Sequence, residues 1–142
     1  MTPGARVAAQ IDILEAILSG VPAEKALTNW ARGNRFAGSK DRAALRDLVF
    51  QALRCRRSAG AWPAPQSARA WAIGTLRANG EDPNEFFTGI AHSPAALCAD
   101  DVTPLPSDRD RLDLQDWVID LLTQQYGAEQ TAKIGAVLRH RA

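Results

Sequence analysis

The chain reads as all-α, a single compact bundle of five to seven helices. Three observations predict it. Apolar residues recur at three- and four-residue spacing almost throughout, no stretch of useful length alternates apolar and polar residues, and Pro, Gly and Ser punctuate the periodic segments. With 142 residues, 46% hydrophobic and 23% charged, the chain is long enough to bury a core without disulfide or metal support.

The elements follow in order. Thr2-Pro3 is a cap followed by a first helical residue, because the fixed φ of proline suits that position. Val7, Ile11, Leu14 and Leu18 form the apolar stripe of the first helix, and Gly20 stops it. A second helix starts at Pro22, presents Ala26, Leu27 and Trp30, and ends near Gly33. After the loop NRFAG, Ser39 is expected to cap a third helix reaching about Arg57, with Asp41 in its first turn suiting the positive end of the helix dipole. A fourth helix spans about 66 to 79 and stops at Gly80. Asp82-Pro83 and Ser93-Pro94 each look like the start of a short helix, and ADDVTPLPSDRD reads as an exposed, acidic connection. Two helices close the chain, about 116 to 126 and 128 to 141, separated by Gly127.

Charge is unevenly spread. The chain carries a net +1, yet between Trp30 and Gly60 eight basic residues face two acids, and between Glu81 and Asp120 ten acids face two bases. On the third helix Leu45, Leu48, Val49 and Ala52 form the core stripe. Arg42, Arg46, Phe50 and Arg54 form a second row spaced by four, with Arg57 in its sector and Arg56 beside it. Arg32, Arg35 and Lys40 lie just upstream. Guanidinium groups pair with phosphate oxygens and stack on unpaired bases, so these nine residues are the candidate RNA-binding set. The row also fits a solvated helix face, or arginines that meet acids across a domain interface, and Phe50 fits packing against a neighbouring helix.

Other chemistry finds little foothold. The only histidines, His92 and His140, lack partners at metal-ligand spacing, so no metal site is expected. Phosphate-loop and dinucleotide fingerprints are absent, and no catalytic residue is assigned. Cys55 and Cys98 stand far apart, which fits a reducing compartment; with no apolar run of membrane-spanning length, the cytoplasm is the expected location. The four tryptophans are read as core or loop packing residues.

Three segments occur in a familiar order: ARVAAQIDILEAILSG, PAEKALTNWA and DRAALRDLVFQALRCRR, within residues 5 to 57. They resemble the NusB-like domain, above all the version at the N-terminus of the Sun/RsmB group of rRNA cytosine-C5 methyltransferases. The segment LDLQDWVIDLLTQQYGAEQ, residues 112 to 130, is similar to the lead-in to the catalytic part of those enzymes, with Gln115 where the family usually has proline. The resemblance implies an RNA-binding domain at residues 1–111. Residues 112–142 would be helices leading into a methyltransferase domain beyond this chain. It implies a role in positioning 16S-type small-subunit rRNA, with S-adenosylmethionine bound by that other domain and none in this chain. The family's catalytic cysteines sit in Pro-Cys and Thr-Cys dipeptides; Cys55 follows Arg54 and Cys98 follows Leu97, so neither corresponds. The expected partners are rRNA and the chain's own downstream methyltransferase domain, with no membrane; oligomeric state is left open. The alternative is a free-standing NusB-type transcription antitermination factor that binds RNA and a ribosomal protein.

Overall fold

The structure, a computed structural model, describes residues 1–140. It contains α1 (Pro3–Leu18), α2 (Ala23–Gly33), α3 (Ser39–Arg54), α4 (Ala68–Ala78) and α5 (Asp116–Arg139), with two 3-10 turns at Pro83–Glu85 and Asp110–Leu112. Among the described residues there is no strand, and none of the helices is long and apolar enough to cross a membrane. The expectation of an all-α bundle of five to seven helices holds.

Local chemistry explains most boundaries. Thr2 Oγ1 accepts a hydrogen bond from the Ala5 amide at 3.1 Å and Pro3 opens α1, as the cap reading requires. Gly20 and Gly80 take the left-handed conformation that ends α1 and α4. Ser67 Oγ accepts from the Ala70 amide and caps α4, which starts at Ala68, two residues later than the periodicity placed it. Gly127, at φ 84° and ψ 166°, breaks α5 where two helices were expected to meet.

Three expectations need correction. Ser39 is not the cap of α3: it is the first helical residue, Gly38 is the cap, and no side chain bonds the first amides. The third helix ends at Arg54 rather than near Arg57, because Cys55 leaves helical geometry and residues 55–61 coil into successive turns. No helix starts at Ser93-Pro94. A tight turn closes there instead, with the Ser93 amide on the Ile90 carbonyl at 2.9 Å and Ala91 and His92 both at positive φ. The stretch 99–110 is the exposed connection expected, with no buried residue, although its Asp101 and Asp110 pair with arginines of the bundle.

The core forms where α1, α3 and α4 meet. Val7 and Leu14 from α1, Ala52 from α3 and Trp71, Ile73 and Leu76 from α4 pack together, and α2 covers a second cluster of Ile13, Ala26 and Val49. Two buried polar groups are satisfied inside it: Trp71 Nε1 donates to the Ala52 carbonyl at 3.1 Å, and Gln10 Nε2 to the Leu48 carbonyl at 2.9 Å. Leu45, Val49 and Ala52 are buried and Leu48 is half-buried, so the core stripe of α3 lies where its spacing placed it.

Candidate nucleic-acid interface

With the core stripe of α3 turned inward, the arginine row is forced toward the surface at its N-terminal end. Arg42 and Lys40 are exposed, as are Arg32 at the end of α2 and Arg35 in the following loop. None of these four has a carboxylate partner among the described residues. Phe36 sits between Arg35 and Lys40 in sequence, is 73% exposed, and meets Trp30 edge-on at 6.4 Å. This end of the molecule offers open cations around a bare aromatic ring.

Arg46 is different. It is exposed, but its guanidinium forks onto Glu24 of α2, with Nη1 to Oε2 at 2.6 Å, and lies 5.1 Å from the Phe50 ring centroid. The hydrogen bond from Arg46 holds the Glu24 carboxyl below its ordinary range, and the same bond raises Arg46. An exposed pair of this kind is screened by solvent and contributes little, so a phosphate can compete for Arg46 at little cost. Phe50 is half-buried and carries Arg46 on its face, a cation–aromatic contact between two members of the four-residue row.

The C-terminal end of the row is held by the protein itself. Arg54 Nε donates to the Arg139 carbonyl at 3.1 Å. Arg56 Nε donates to the Ala61 carbonyl at 3.1 Å, and its guanidinium lies 5.1 Å from the Trp71 ring and 5.9 Å from the Trp62 ring. Arg57 is only 10% exposed. It donates to Asp110 Oδ1 at 2.9 Å, Asp116 Oδ1 at 2.9 Å and the Leu114 carbonyl at 2.8 Å. Burial works against its charge, but the hydrogen bonds it donates to Asp116 and Asp110 outweigh burial and raise its pKa. Arg57 therefore does not share the sector of Arg42. The helix ends three residues before it, and the chain turns its side chain toward the acidic segment.

Beside Arg57 lies a second clamp. Asp113, with a side chain 1% exposed, accepts from the Ser58 amide at 2.8 Å and the Ser58 hydroxyl at 2.6 Å, and pairs with Arg139 at 2.9 Å. The Arg139 contact is an ion pair rather than an aligned hydrogen bond, since Arg139 Nε finds no acceptor in bonding geometry. Asp101 in turn accepts two bonds from Arg69 and one from the Cys98 amide, and the Arg69 bonds hold its carboxyl far below the usual range. These acids looked like a solvated run in the sequence. Several of them instead fasten the C-terminal third of the chain to the bundle, and only their distance in sequence hid that.

The cysteines stand as their neighbours dictate. Cys55 is buried at the end of α3; burial first, and the Asp113 charge second, push its thiol up to about 11, so it has no thiolate to offer near neutrality. Cys98 is exposed. Among the described residues no three His, Cys, Asp or Glu side chains gather to hold a metal ion. Nothing here resembles a strand-to-helix glycine turn that would cradle S-adenosylmethionine, and no methyl-transfer step is assigned to these residues. The expectation that all four tryptophans are packing residues fails at Trp62 and at Trp117, which is 65% exposed on α5, and sequence reasoning also missed the exposed ring of Phe36 beside the arginines. Each adjoins an arginine in the sequence or within six positions, which is the signal that would have found them.

Three comparisons with known proteins, against family models, characterised sequences and solved structures, returned no match.

Proposed function

We propose that this chain is an RNA-binding helical domain that holds rRNA for a cytosine-C5 methyl transfer performed by a separate domain. The RNA-binding part rests on one observation: Arg32, Arg35, Lys40 and Arg42 are exposed at one end of the molecule, beside the bare ring of Phe36, with no carboxylate partner among the described residues. Uncompensated guanidinium groups around an exposed ring match what single-stranded RNA offers, phosphates and unstacked bases. The methyltransferase setting rests on the sequence resemblance alone. Arg46 joins the strip by exchanging Glu24 for phosphate, while Arg57 serves the fold.

Titration of the protein with labelled 16S-type rRNA fragments at several salt concentrations tests this. The double change Arg35→Glu/Arg42→Glu should abolish binding with helical content intact. The parent's log affinity should fall with log salt by about 0.7 for each phosphate neutralised on single strands. A folded double variant that binds as the parent does would rule out this face. Methyl transfer should appear only when a cytosine-C5 methyltransferase domain is joined to or mixed with this chain, and should weaken with the same double variant.

A further inference from the structure

At the far end of α3 from the open strip, a narrow slot of about 170 Å³ is walled by Leu53, Arg54, Arg56, Arg57, Trp62 and Gln115. It is well below the roughly 300–1,000 Å³ of a drug-sized ligand site and suits a single flat ring system. Three features make it more than a surface crease. Trp62 is 47% exposed although its ring is held in place by the Arg56 guanidinium. Arg54 and Arg56 are each anchored through Nε to a backbone carbonyl, and neither has a carboxylate partner among the described residues, so both forks are set in position with their terminal nitrogens left to donate. Gln115 Oε1 is engaged by Trp117 Nε1 at 2.6 Å, which leaves its amide NH₂ as a further donor. The acid in the wall, Asp113, is spent on Ser58 and Arg139.

We propose that this slot takes one unpaired nucleobase of an RNA strand, stacked on Trp62, with the adjoining phosphate on Arg54 and Arg56. A ring face supplies stacking that every base offers, and two anchored guanidinium forks lining the same slot supply charge for the adjoining phosphate. The inference rests on the RNA-binding reading and adds to it a second contact point, so that a strand tracks along α3 from Arg42 to Trp62. Trp62 thereby becomes a binding residue, although sequence position alone made it a loop-packing residue.

The test uses the whole chain and a decauridylate probe, read by fluorescence anisotropy. Trp62→Leu keeps an apolar body over Arg56 but has no ring face; Trp62→Phe keeps a ring. Trp62→Leu should weaken binding about 5- to 100-fold with the salt slope unchanged, and Trp62→Phe should restore most of it. Iodouridine-substituted probe should photocrosslink to Trp62. Unchanged affinity in a folded Trp62→Leu protein, together with loss in Arg35→Glu/Arg42→Glu, overturns the slot and leaves the RNA-binding reading standing. Crosslinks confined to Phe36 or Phe50 overturn it in the same way. If the parent binds neither decauridylate nor rRNA fragment, both readings fall.

Discussion

A glycine in the middle of a helix is a poor choice unless something needs the space, and Gly74 in α4 shows what does. A Cβ built there would sit 1.8 Å from the Ala59 carbonyl oxygen, a backbone atom that cannot move aside cheaply. The turn that follows α3 presses its backbone directly on α4, and this close approach buries Ala59 and Ala61 and leaves Trp62 exposed beside the end of α3. Gly74→Ala should therefore destabilise the fold by about 3 kcal/mol, the upper range of overpacking, although alanine is intrinsically the better helix former by about 1 kcal/mol. Equilibrium denaturation measures it. A variant as stable as the parent would mean that the Ala59 turn is free to lift away from α4.

At the level of elements, α5 depends on its interruption. Gly127 lies at φ 84° and ψ 166°, a region essentially restricted to glycine, and the segment beyond it folds back to place Gly135 against the Leu112 carbonyl and Arg139 beside Asp113. In Gly127→Ala the break costs about 1–3 kcal/mol, or the helix straightens and those contacts are lost. Either way, amide exchange in residues 131–139 should accelerate while α1 keeps its protection; equal protection in both segments would show that the break is not needed. That break was legible in the sequence, as were Thr2-Pro3, Gly20 and the core stripe of α3, because each is decided by neighbours within one or two turns. Ser39 misled because capping depends on the φ and ψ of the residue before it, and Gly38 already filled that place. The site was half legible. Spacing alone placed Arg42 and Arg46 outward, but the partners of Arg57 lie 53 and 59 residues further on, and no local pattern announces a pairing over that distance.

Over the whole molecule, the same long-range pairing explains how a chain of net charge +1 keeps an open basic end. The acid-rich stretch does not screen the basic one uniformly; it folds against the C-terminal end of α3 and neutralises Arg57 there, while Arg32, Arg35, Lys40 and Arg42 are left uncompensated. Magnitudes separate the two ends. The exposed Arg46–Glu24 pair is screened by solvent and contributes little, whereas Arg57 bonds Asp110 and the Leu114 carbonyl from a largely buried position, in a class where each bond is worth about 1.5–3 kcal/mol. Arg46→Ala should thus leave stability nearly unchanged. Arg57→Ala should cost about 2–3 kcal/mol, less than the sum of its bonds because Ser107 and Arg109 still hold Asp110 and Asp116. The loss should be regional. Hydrogen exchange should rise across residues 107–139, which Arg57 and Asp113 tie to the bundle, while α1 and α4 exchange only through global opening. If Arg57→Ala loosened α1 and α4 to the same extent as residues 107–139, the acidic segment would be an integral part of one cooperative core, and the division of labour between paired and open arginines would no longer follow from the fold.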